Sequence, residues 1–191
     1  MLKLLDTMTD VLFRPNVGIA KAIDNSFTKA LLFWFVLFTL IWFPVLKTEM
    51  FTIGFFEQVM LLLAKFSFNV LVLFFYCLLI HGLVNFFFNG QGSVKQLFSG
   101  FVFSYLPFLL VPLCSLLPQW QSNAPLQGLV FWLLFLWTVY LALLVIKNVY
   151  KLSYWRSNII LLMPLLFASL LYVCVVFYLF ASFWLSLQIG L

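Results

Sequence analysis

Charge is what this 191-residue chain has least of: 8% of its residues are Asp, Glu, Lys or Arg, and only five of those are acidic. An ordinary soluble domain carries about 25% charged residues and roughly 45–50% apolar ones. Here 66% are hydrophobic and 21% aromatic. So little polar surface cannot cover a globule in water, which excludes a soluble fold and makes lipid the solvent for most side chains. The sequence also has no GxSxG, HExxH, Walker-type loop, paired carboxylates or haem spacing, so nothing in it points to an enzyme, a cofactor or a metal. Cys77, Cys114 and Cys174 each sit singly inside an apolar run. With no CxxC neighbour and no His at metal spacing, they read as small buried hydrophobes. Residues 1–29 carry Asp6, Asp10 and Asp24 instead of an unbroken apolar core, unlike a cleavable signal peptide.

What is present is long apolar sequence, in five runs at about 30–46, 66–88, 97–117, 129–146 and 159–187. About 20 apolar residues cross a bilayer as helix. A β-barrel would alternate apolar and polar residues, but Phe131-Trp132-Leu133-Leu134-Phe135-Leu136-Trp137 is apolar on every face. The expected fold is all-α: a bundle of five transmembrane helices (30–191), preceded by one or two in-plane amphipathic helices in a cytoplasmic segment (1–29).

Orientation follows from the basic residues. Lys3, Arg14, Lys21 and Lys29, then Lys95, then Lys147, Lys151 and Arg156 fall in segments that share a side of a five-span chain, leaving only Lys47 and Lys65 for the other. The positive-inside rule then puts the N-terminus in the cytoplasm and the C-terminus outside. The formal charge of +5 is spread beside apolar runs, so it reads as topology signal and lipid contact. The bilayer is thus the implied partner, and nucleic acid is not.

On a helical wheel Leu2, Leu4, Leu5, Met8, Val11, Leu12 and Phe13 share one arc, and Lys3, Asp6, Thr7 and Asp10 the other, the pattern of a helix lying in the membrane surface. Pro15 opens a second, weaker amphipathic stretch, with Val17, Ala20, Ile23 and Phe27 on one side. Further on, Asn89-Gly90-Gln91-Gly92 supplies two glycines for a tight turn, and Ser93-Val94-Lys95-Gln96 has capping-box spacing. Pro107 and Pro112 predict a kinked or broken third span. Pro118, Gln119, Asn123, Pro125 and Gly128 predict an uncharged, non-helical outer loop. Phe51 to Ala64 is a candidate amphipathic extension of the second span.

Two polar pairs interrupt the second run. His81, the single histidine, and Asn85 lie one turn apart, and polar groups at such depth face other helices. Both an interhelical hydrogen bond and a substrate or proton site fit them. Lys65 and Asn69 form a similar pair at the outer end, where Lys65 can snorkel to the headgroups. Trp42, Trp120, Trp155 and Trp184 fit an interfacial belt.

Several of these features together resemble the Yip-domain family, five-span membrane proteins named for interacting with Ypt and Rab GTPases. They are Phe13-Arg14-Pro15 before an in-plane helix, the turn Gly90-Gln91-Gly92-Ser93 leading to Lys95 and Gln96, Ser104-Tyr105-Leu106-Pro107 in the third span, and Leu152-Ser153 in the last inner loop. The resemblance implies a non-catalytic membrane organiser whose partners are other membrane proteins or itself, of trafficking type in eukaryotic relatives. The chain lacks the long cytosolic N-terminal region and DLYGP-type segment of those relatives, so GTPase binding is not expected, and a bacterial inner membrane is. The alternative is a small transporter or channel subunit with a site near the second and third spans, at His81, Asn85, Asn69, Tyr105 and Pro107. Lipid handling is a third reading, drawn from the N-terminal helices.

Overall fold

The computed structural model describes residues 2–49, 54–116, 120 and 123–189. All of its regular elements are helical: α1 (Leu2–Phe13), α2 (Pro15–Ile23), α3 (Phe27–Glu49), α4 (Phe55–Phe88), α5 (Val94–Ser104), a 3-10 turn (Leu106–Leu109), α6 (Leu110–Cys114), α7 (Ala124–Tyr150) and α8 (Tyr154–Ile189). Among the described residues three segments are long and apolar enough to cross a membrane: Phe56–Phe88, Val94–Cys114 and Ala124–Tyr150. A shorter apolar helix, Phe27–Ile41, lies in α3. Large apolar side chains such as Phe75, Phe86, Trp132 and Phe177 stay exposed on the helix exteriors, the arrangement expected where lipid replaces water.

The third segment is broken where the prolines fall. Pro107 has no N–H for an intrahelical bond, so α5 stops at Ser104, Tyr105 follows as its C-cap, and the chain continues as a 3-10 turn before α6. Three ring pairs, Phe27–Phe98, Phe33–Phe103 and Trp34–Tyr105, line α3 up along α5 with both chains running the same way. α5 in turn packs on α7, where Gly100 lets the backbones close in: a Cβ there would lie 2.5 Å from Val145 Cγ1. Small residues serve this purpose in membrane bundles because association depends on close packing, not on water release.

Arg14 separates α1 from α2, and the two fold back on each other. Asp10 and Lys21 form an ion pair across them. Gly18 sets their spacing, since a side chain on it would run into the Val11 backbone. The wheel needs correcting here. Thr7, assigned to the polar arc, is buried. In α2 the buried residues are Gly18, Ile19, Ala22 and Ile23, while Val17 and Ala20 are exposed. The reason is tertiary: α2 lies against α5 and α7, and Ser99 Oγ donates to the Ala22 carbonyl at 2.7 Å from inside that contact.

Other boundaries also move. α4 is continuous from Phe55, so the stretch read as an extension beyond 66 belongs to the same helix, and Phe51 lies outside the described residues. Its start is held by Glu57, whose carboxylate accepts from the Gly54 N–H at 3.2 Å. Pro125 and Gly128, read as loop, belong to the first turns of α7, because Asn123 caps that helix by accepting from the Leu126 N–H and Pro is tolerated at a helix start. Pro118 and Gln119 lie outside the described residues. Trp120, read as interfacial, is buried and packs near Phe131, whereas Trp155 is exposed. The side chains of Trp42 and Trp184 are outside the description. Of the cysteines only Cys77 is buried, and Cys174 is exposed on α8.

Candidate functional site

The turn joining α4 to α5 and the turn joining α7 to α8 meet at one end of the bundle. α4 ends at Asn89, which takes the left-handed conformation (φ 48°) and closes the helix on Asn85 O. Ser93 starts α5 with the capping box the spacing predicts: its Oγ accepts from the Gln96 N–H at 3.2 Å, and Gln96 Oε1 accepts from the Ser93 N–H at 3.4 Å. The glycines between them do a different job from the one the sequence suggested. Neither has a positive φ. They leave room for Tyr150, since a Cβ on Gly90 would lie 2.9 Å from its Cδ1 and one on Gly92 would lie 2.6 Å from Cδ1 and Cε1.

Tyr150, the last residue of α7, is buried under that turn and reaches into the bundle. Its hydroxyl lies 2.8 Å from His81 Nδ1, and the Asn85 amide Nδ2 lies 3.0 Å from His81 Nε2. With the amide donating to Nε2, Nδ1 carries the ring proton and donates to the Tyr150 oxygen, so both nitrogens of a neutral imidazole are used. This tautomer is assigned from the partners. The cluster sits about 10 Å along α4 from its end, at 1.5 Å per residue. It can fasten α4 to α7, and no carboxylic acid takes part in it.

The remaining candidates do not join it. Asn69 donates to Lys65 O, one turn back on its own helix, at 2.9 Å. Tyr105 packs against Trp34 and Phe108, and Pro107 is buried in the 3-10 turn. Lys95 is exposed on α5. Among the described residues no group of His, Cys, Asp and Glu could hold a metal ion.

Sequence reasoning missed Tyr150, whose signal was a tyrosine at the end of an apolar run: a large apolar body with a polar tip that needs a partner when buried. It also missed Ser99, and Trp34, whose indole N–H is buried with no partner beside the helix break.

The same end of the bundle carries a cleft of about 490 Å³ between the α2 terminus and the two turns, lined by Asp24, Gln91, Gln96, Asn148, Tyr150 and Lys151 among others. Segments 1–29, 89–96 and 147–158, which hold most of the basic residues, therefore converge in space. Two of those cations are occupied by rings: Lys147 lies over Tyr154 and Arg156 over Phe88.

The Yip1 domain matches this chain over residues 9–187, nearly its whole length. It belongs to the Yip1 domain family. The match takes in both turns, the broken third segment and the His81–Tyr150 cluster, so the site lies inside the family domain. No curated protein and no solved structure matches the chain. Apolar composition, exposed apolar helix faces and family together make this Yip1-domain chain a membrane protein.

Proposed function

We propose that this Yip1-domain protein is a non-catalytic five-span organiser of the bacterial inner membrane, gathering other membrane proteins or a second copy of itself at its cytoplasmic end. The observation that carries the reading is the convergence of the three basic segments on one closely packed surface, where Gly90 and Gly92 seat Tyr150 and Tyr150 holds His81. In this reading α3, with 23 residues, and α8, with 36, are the first and fifth crossings, each exceeding the roughly 20 that a bilayer needs. The positive-inside rule makes the basic end cytoplasmic. The α1–α2 pair then lies at that surface, with exposed Phe13 and Val17 turned toward lipid.

Photocrosslinkers at Gln91 and Lys95, compared with one at Ala124 near the opposite end, test this in native membranes. Discrete protein adducts from the first two positions and not the third are expected. Adducts to lipid alone at all three would remove the organising role.

A second reading, a small carrier, is favoured by the broken α5–α6 segment with the unpartnered Trp34 indole beside it, because interrupted helices line substrate sites in transporters. Solute flux in proteoliposomes would put that reading first.

A further inference from the structure

The cleft at the basic end holds charges of both signs that do not satisfy each other. Asp24, at the C-terminus of α2, and Lys151, in the α7–α8 turn, both line it, and among the described residues neither forms an ion pair or side-chain hydrogen bond. Lys151 differs in this from Lys147 and Arg156, which lie over aromatic rings. Asn148 also lines the cleft, and its amide Nδ2 is buried with no partner. Gln96 spends its carbonyl oxygen on the Ser93 cap, which leaves its NH₂ as a donor. The cleft therefore offers two donors, the Lys151 ammonium and the Gln96 amide, together with one carboxylate, that of Asp24.

An exposed ammonium and carboxylate facing one cleft without pairing leave both charges free for a ligand that carries the two opposite ones. A purely anionic ligand would suit the donors but meet the Asp24 charge, and a purely cationic one would meet Lys151. A short skeleton carrying a phosphate and a primary ammonium answers both, with phosphate oxygens accepting from Lys151 and Gln96 and the ammonium donating to Asp24. A trimethylammonium has no N–H to give a carboxylate, so it would leave Asp24 without a hydrogen bond. The volume of about 490 Å³ falls within the usual range for small-ligand sites. Exposed Trp155, Lys95 and Lys151 place the opening at headgroup level, and exposed Phe86 and Phe87 on α4 offer a path for acyl chains.

We infer that this cleft is a binding site for a phosphoethanolamine group, presented as the headgroup of a zwitterionic phospholipid. The inference uses the membrane setting and neither the orientation nor the organising role proposed above, so either can fail while the other stands.

The test is lipid binding to the purified full chain, followed by native mass spectrometry with phosphatidylethanolamine, phosphatidylcholine and phosphatidylglycerol. Phosphatidylethanolamine should bind about tenfold tighter than the other two, the discrimination expected of one charge-assisted hydrogen bond. Asp24→Asn should erase its advantage over phosphatidylglycerol, and Lys151→Gln should weaken it about tenfold. Both residues are exposed, so unchanged thermal stability confirms that the variants fold. Competition by glycerophosphoethanolamine would support the headgroup chemistry and identify a soluble ligand as sufficient. Selective lipid binding without such competition would support the lipid as the source. Equal binding of all three lipids, or a preference that survives both substitutions, overturns the inference.

Discussion

Tyr150 and His81 are 69 residues apart in sequence, yet the hydroxyl of one lies 2.8 Å from Nδ1 of the other, joining the end of α7 to the inside of α4. Asn85 completes the chain on the far ring nitrogen. A polar group between helices in lipid has little water to turn to, so the His81–Tyr150 bond fixes α4 against α7, while Asn85, one turn away on α4, orients the ring.

Tyr150→Phe should therefore destabilise the bundle by about 1 kcal/mol, the cost of leaving a half-buried ring N–H unpaired. His81→Gln should keep much of the native stability, while His81→Leu should lose as much as Tyr150→Phe. Thermal unfolding in detergent measures all three. In the double variant of His81→Leu and Tyr150→Phe the losses should fall short of additive by at least about 0.5 kcal/mol, and full additivity would mean that the two side chains do not interact.

Gly92→Ala should cost about 1–3 kcal/mol by overpacking, because the new methyl would press on the Tyr150 ring 2.6 Å away. Combining it with Tyr150→Leu should cost less than the sum of the two single changes, since the shorter side chain vacates the ring's place. If Gly92→Ala leaves the melting temperature unchanged, the close approach is not a constraint on the fold.

Gly18→Ala should part α1 from α2, because the added methyl meets the Val11 backbone and not a side chain that could turn aside. Separation would also break the Asp10–Lys21 pair. Limited proteolysis near Arg14 should speed up in the variant, with little change in cutting elsewhere. Phe13→Asp, on an exposed side chain, should leave the helix pair intact but weaken its hold on lipid by roughly 1.5–3 kcal/mol, read as reduced quenching of a probe on α1 by spin-labelled lipid.

In a chain freed of Cys77, Cys114 and Cys174, a cysteine at Gln91 should be shielded from an impermeant thiol reagent added outside cells, and one at Ala124 should react. The reverse pattern would turn the bundle over and place the basic cleft outside.

The helical class was legible in the apolar runs, because a backbone in lipid must satisfy its own hydrogen bonds and only helices fit continuous apolar sequence. The break after Ser104 was legible in Pro107, and the start of α5 in the Ser93 to Gln96 spacing, since both are local chemistry within one turn of helix. His81 and Asn85 could be picked out as polar residues needing partners. The sequence could not identify Tyr150 as the partner, because contacts between helices depend on rotation and depth, which leave no trace in an all-apolar pattern. For the same reason the buried face of α2 was misassigned: packing against α5 and α7 selected Gly18, Ile19 and Ala22 over the stripe a lone surface helix would present. Gly90 and Gly92 marked a turn in the sequence, but only the tertiary structure showed that Asn89 makes the left-handed turn and the glycines make room for a ring. The chain's composition determined its solvent, its secondary structure and where its helices break. The meeting of Asp24, Gln96, Asn148 and Lys151 in one cleft was decided by packing alone, because it depends on how far each helix slides and turns against its neighbours before their side chains interlock.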